Sequence, residues 1–181
     1  MNQFNRSYGL AVVLFLLVGM TLGRTRTAAA EEPLVVFLVR HAEKIDTSTD
    51  AKLSGAGRKR AQELAMALRD SGVTQVHSTD FIRTRNTAAP TAARLGLNVQ
   101  LYNRLEMAAL VERMRNAGGR HLVVGHSNTT PNLVRLLGGN PGSIIKEDGE
   151  YDRLYIVTFD TDGNVSTILM RYGLPFAPND K

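Results

Sequence analysis

Two histidines and two arginines stand where an α/β protein places its chemistry. Arg40 and His41 follow the apolar run Leu34–Val39, with Ala42 and Glu43 behind them. Ser78, Thr79 and Asp80 follow a second, shorter run, and Arg83 comes one helical turn later. Gly125, His126, Ser127 and Asn128 follow the run that begins at His121. Arginine presents a planar, permanently charged fork that matches phosphate oxygens. Two such forks beside helix N-termini make a pocket for an anion of several charges. The same positive charge disfavours imidazolium, so a histidine placed there stays neutral and nucleophilic. A neutral imidazole can attack phosphorus without a metal when arginine and a second histidine steady the equatorial oxygens. An alkoxide leaving group then needs a proton from a nearby acid.

The elements that must position these groups alternate. Leu34–Val39 is continuously apolar, as in a strand buried on both faces. Ser54 is placed to cap a helix whose Ala61, Leu64, Ala65 and Leu68 share one face, with Gly72 where it would stop. Val73–His77 reads as a short strand. A helix over Asp80–Leu95 follows, which Pro90 is expected to kink or split. Val99–Tyr102 reads as a strand, Leu105–Asn116 as a helix ended by Gly118-Gly119, and His121–Val124 as a strand. Thr130 and Pro131 read as the cap and first position of a helix that Gly138-Gly139 closes. Leu154–Phe159 and Val165–Met170 flank Asp162-Gly163, a hairpin signal. The order predicts an α/β fold of three layers: a mostly parallel sheet with helices on both faces and one antiparallel strand late in the chain. Ligands of such sheets bind beyond the carboxyl ends of the strands, where the two histidines and two arginines lie.

Composition narrows the chemistry. The 181 residues include no Cys and no Trp, which removes disulfides, thiolate metal sites and a cysteine nucleophile. The net charge is +5, but Arg6, Arg24 and Arg26 in residues 1–30, which carry no acid, supply three of those charges. The remainder is no nucleic-acid footprint. The apolar stretch Leu10–Leu22 behind Arg6 is short for a membrane span, and Ala28-Ala29-Ala30 fits a small-residue cleavage site. Residues 1–30 are therefore expected to be a secretory signal, or an uncleaved N-terminal anchor. Residues 31–181 are expected to form one domain, exported to the periplasm or the extracellular space, with no membrane span kept after cleavage.

The strings VRHAEK (39–44), STDFIRTRNTA (78–88) and VVGHSN (123–128) resemble the signatures of the histidine phosphatase, or phosphoglycerate mutase-like, superfamily. LSGAGRKRAQELA and the late RYG extend the resemblance over nearly all of the chain beyond residue 30. It implies a phosphoric monoester hydrolase of the histidine acid phosphatase type, with no cofactor and no metal. His41 would be the phosphorylated nucleophile, and Arg40, Arg83 and His126 would hold the transferring group. The family's acid lies in a string like L-x-E. Here NRLEMAAL puts Glu106 directly after Leu105, one residue out of register, so Glu106 is the candidate donor, Asp80 its rival, and the absence of a dedicated acid a third reading. Asn128 and Ser127 donate to phosphate or cap the helix at Pro131. Glu43 is expected to orient a neighbour, His77 and His121 to be structural, and Tyr151, Tyr155 and Tyr172 to lie in the core or at an edge. The implied substrate is a phosphorylated small molecule, glycan or protein, chosen by loops near Ile45–Lys52, Tyr102–Met107 and Gly139–Tyr151. A phosphoglycerate-type mutase and a non-catalytic phosphate-binding domain are the alternatives. The sequence leaves the oligomeric state open.

Overall fold

The computed structural model describes residues 33–160 and 162–177. The expected signal or anchor segment, residues 1–30, lies outside them. Ten elements follow in the order β1 (Val35–Arg40), α1 (Gly55–Ala67), β2 (Gln75–Thr79), α2 (Ile82–Leu95), β3 (Val99–Tyr102), α3 (Met107–Ala117), β4 (Arg120–Gly125), α4 (Thr129–Leu136), β5 (Arg153–Phe159) and β6 (Val165–Arg171). The six strands form one sheet in the order β3-β2-β4-β1-β5-β6. β1, β2, β3 and β4 pair in parallel, and β5 runs antiparallel to both of its neighbours. The architecture is the three-layer α/β arrangement expected from the alternation, with β5 as the single reversed strand.

The central strand shows why both faces are covered. Its side chains alternate across the sheet. Val36 and Leu38 join a core with Leu110 and Met114 of α3 and Leu133 and Val134 of α4. Phe37 and Val39 point the other way, into a core with Leu64 of α1 and Ala88 and Ala92 of α2. Truncating a fully buried residue such as Leu38 to Ala would cost roughly 2–5 kcal/mol.

Register then places the chemistry. In the parallel β1–β4 ladder Arg40 lies opposite Gly125, and the His41 N–H donates to the Gly125 carbonyl at 2.9 Å. His41 and His126 therefore leave the same edge of the sheet side by side. Gly125 is required there, because a Cβ would meet the Thr129 hydroxyl at 2.7 Å.

Several local expectations shift. β2 begins at Gln75 rather than Val73 and runs on to Thr79, because residues 75–78 take up the ladder with β4. α2 begins at Ile82, and Pro90 sits inside it without splitting it. A proline removes only its own N–H from the helical ladder, and the buried Thr87, Ala88, Thr91 and Ala92 around it hold the helix against the core. Ser54 does cap α1, accepting from the Gly57 N–H at 3.1 Å. α4 starts at Thr129, and Asn128 occupies its N-cap position without a capping side-chain bond.

Candidate active site

His41 is almost wholly buried at the end of β1. Its Nδ1 lies 2.8 Å from the Ala42 carbonyl. A carbonyl only accepts, so Nδ1 carries the proton and Nε2 carries the lone pair. Burial first, then the charges of Arg40 and Arg83, lower the imidazole to about 3, which keeps it neutral. A neutral imidazole with Nε2 unprotonated is the nucleophilic form.

The loop behind it is fixed from three sides. The Ala42 N–H donates to Thr87 Oγ1 at 2.9 Å, and that hydroxyl donates on to the Arg83 carbonyl. The Ser54 N–H donates to the Glu43 carbonyl, and the close approach of Gly57 to that carbonyl leaves no room for a Cβ. Glu43 orients a neighbour, as expected: its Oε1 accepts from Nε and Nη2 of the buried Arg60, which also donates to the carbonyls of Tyr172 and Leu174.

His126 faces His41, with ring centroids 5.5 Å apart and nearly edge-on. Arg83 Nη2 donates to its Nδ1 at 3.3 Å, so the proton sits on Nε2 and is given to Thr79 Oγ1 at 3.0 Å. Thr79 passes its own hydroxyl proton to Thr84 Oγ1, a relay of short bonds that fixes the ring. Burial, then Arg83 and Arg104, lower His126 to about 4. In this tautomer Nδ1 accepts, so His126 donates to an oxyanion from that atom only once protonated there. A bound dianion would favour that protonation.

The arginines are used unequally. Arg40 is 1 % exposed and stacks on the Tyr151 ring at 4.0 Å. Its Nη1 donates to the Lys146 and Glu150 carbonyls, and its Nη2 to the carbonyl and carboxylate of Glu147. Arg83 also donates to the Thr49 carbonyl at 2.7 Å. Nε of Arg40 and Nε of Arg83 are buried and have no hydrogen-bond partner among the described residues. Such donors are rare in a folded protein and are the ones left to an oxyanion.

His41, Arg83, His126 and Asn128 line one cleft of about 440 Å³. Arg40 lies beneath it rather than among its lining side chains. Thr47, Ser48 and Thr49, Arg104, and Glu147 reach the cleft from the three loops expected to carry specificity. Glu106 does not line it: this exposed residue holds the N-cap of α3. Asp80 is turned to Arg85. Among the described residues Glu147 is the one carboxylate in the cleft wall, and Ser127 donates to it. Tyr151, read as core or edge, instead sits 5.9 Å from the His41 ring. Lys44, Arg104, Glu147 and Tyr151 carry no spacing that marks them, since folding brings them in from separate loops. Thr87 had one signal, its fixed distance behind Arg83. Among the described residues no group of three or more His, Cys, Asp or Glu is placed to hold a metal ion.

Residues 36–109 match the model of the histidine phosphatase superfamily (branch 1). The chain resembles that superfamily from β1 into the first turn of α3. Among curated relatives, Probable phosphoglycerate mutase GpmB of Erwinia tasmaniensis is 37% identical over 79 residues, covering 40% of this chain and 37% of its own length. The match thus spans little more than a third of that relative. The protein histidine phosphatase SixA, solved with tungstate, superposes with a TM-score of 0.62 at 21% identity, covering 76% of this chain and 97% of its own. A phosphoserine phosphatase mutant from Entamoeba histolytica, solved with phosphoserine, gives 0.56 at 15% identity, covering 77% and 96%. These two phosphatases share the fold of the present chain.

Proposed function

We propose that this chain is a member of the histidine phosphatase superfamily and a metal-independent phosphatase that hydrolyses phosphomonoesters or phosphoramidates through a phosphohistidine on His41. One observation carries the reading. The His41 imidazole is neutral, with its lone pair on Nε2, in a cleft that also presents Arg83 and His126. Attack by Nε2 on phosphorus would form the N–P bond as the P–O or P–N bond to the leaving group breaks. Water would then attack phosphorus, the N–P bond would break, and His41 would be regenerated with inorganic phosphate released. Arg83, the Nε of Arg40 and protonated His126 would carry the charge of the equatorial oxygens.

The test is direct. The purified protein should release phosphate from 4-nitrophenyl phosphate in EDTA. Rapid quenching should trap an acid-labile, base-stable phosphoryl group that maps to His41. A His41→Ala protein with full activity would rule the mechanism out.

The names of the relatives frame the substrate: protein histidine phosphatase, phosphoserine phosphatase and phosphoglycerate mutase. The match to the named mutase favours one second reading, return of the phosphoryl group to substrate. Free phosphate as the main product, rather than an isomerised sugar-acid phosphate, separates the two. We further propose export, on the apolar segment Leu10–Leu22 and the alanines at 28–30. No helix among the described residues is long and apolar enough to cross a membrane. N-terminal sequencing of the protein from a cell-envelope fraction should read from Glu31 onward.

A further inference from the structure

The leaving group needs a proton, and neither carboxylate marked in the sequence can deliver it: Glu106 does not line the cleft and Asp80 pairs with Arg85. Resting on the phosphatase reading above, we infer that Glu147 is the proton donor, brought to the phosphoryl group by the connection between α4 and β5.

Three observations place it there. Among the described residues, Glu147 is the only carboxylate that lines the cleft with His41, Arg83 and His126. Its side chain is held at two points, by Arg40 Nη2 at 3.3 Å and by the Ser127 hydroxyl, the residue after His126. Its backbone is held as well, because Arg40 also takes the carbonyls of Lys146, Glu147 and Glu150. The connection that carries Glu147 is therefore anchored on the arginine that adjoins the nucleophile. In-line attack by His41 expels the leaving atom on the far side of phosphorus, into the cleft that Glu147 lines.

Charge supplies the proton at the right moment. In the free protein the Ser127 bond, then Arg40, hold the Glu147 carboxyl below the ordinary carboxylate range, so it is ionised. A phosphoryl dianion beside Arg40 and Arg83 sets like charge against that carboxylate and favours its protonation. The reaction then balances. Glu147 gives its proton to the leaving oxygen or nitrogen as the N–P bond to His41 forms. The resulting carboxylate takes a proton from the water that attacks phosphohistidine, hydroxide adds to phosphorus, and phosphate leaves with Glu147 protonated again.

The experiment measures kcat/KM, which reports phosphoryl transfer to His41, for wild-type and Glu147→Gln protein. The substrates run from 4-nitrophenyl phosphate, whose leaving group needs no proton, to a simple alkyl phosphate, whose leaving group does. The ratio between the two substrates should widen by about 10²-fold in Glu147→Gln, and Glu147→Asp should recover part of it. The fall of wild-type alkyl phosphate turnover toward high pH should become shallower in Glu147→Gln, leaving the share that protonated His126 contributes. An equal loss on both substrates would make Glu147 a tether for Arg40 and overturn the inference. A gain on both would make it a placeholder anion and overturn it too. A wild-type protein inactive on every phosphate would instead remove the phosphatase reading beneath it.

Discussion

The chain has four histidines, and the fold sorts them into two pairs, one beyond the strand ends and one within the sheet. His41 and His126 meet beyond the carboxyl ends of β1 and β4. His77 and His121 lie on β2 and β4, with rings stacked at 5.2 Å and a 3.0 Å bond from His77 Nε2 to His121 Nδ1. His121 Nε2 in turn donates to the Gly118 carbonyl at 2.8 Å. Burial lowers the pKa in both pairs, to about 3 and 4 in the first and to about 4 for His77 in the second. Burial is the largest cause in both pairs, so a depressed imidazole does not by itself mark the reactive pair. What separates the pairs is what each ring nitrogen faces. His77 and His121 bond each other and a backbone carbonyl, whereas His41 stands in a cleft beside Arg83 and His126, with Arg40 adjoining it.

Equal substitutions on the two pairs test that contrast most strongly. His41→Asn should lower kcat at least about 10³-fold, since a covalent route loses its nucleophile. His77→Asn should leave turnover of 4-nitrophenyl phosphate near wild type. Comparable losses in the two variants would erase the distinction. Next in size is Arg83→Ala. It removes the fork that bonds His126 and offers its Nε to the oxyanion, and a loss of roughly 10²–10³ in kcat is expected. Arg85→Ala, two residues along and paired with the exposed Asp80, should leave kcat in the wild-type range.

The same contrast explains what the sequence could tell. Strands and helices were legible because apolar runs and helical spacing come from local burial. Arg40, His41, Arg83 and His126 were legible because strand ends in an α/β sheet are fixed by topology. The pairing of His77 with His121 was legible only as a structural role, without its partner. Glu147 was not legible. Its loop has no periodicity, and what brings it to Arg40, 107 residues away, is mainly a set of backbone carbonyls. Carbonyls are common to every residue and leave no trace in residue type. Glu106 misled because a motif position one residue out of register lands on a helix cap facing solvent.

The structural pair should register in stability where it is silent in catalysis. His77→Ala leaves the buried His121 Nδ1 without its donor, and removal of one partner of a buried hydrogen bond costs about 1–3 kcal/mol. Urea unfolding at neutral pH measures it. A variant of unchanged stability would mean that the His77–His121 bond contributes nothing net.

The smallest effect is a slope. The folded pKa values of His41, His126 and His77 lie near 3–4, below the ordinary histidine value. As pH falls from about 6.5 toward 4, the unfolded chain takes up protons that the native rings refuse. Stability is therefore lost on acidification through that window, by up to about 1.4 kcal/mol per pH unit for each histidine, and the same rings add no slope above it. Sulfate, a dianion throughout this range, should bind the cleft, favour protonated His41 and His126, and flatten their share. It should not touch the share of His77, which is nine-tenths or more buried within β2 and does not line the cleft. Urea unfolding at several pH values should thus show two separable reductions in slope, one from sulfate and one from His77→Ala, that add in the variant with sulfate. If sulfate removed the whole histidine slope, the second pair would not be electrostatically independent of the first.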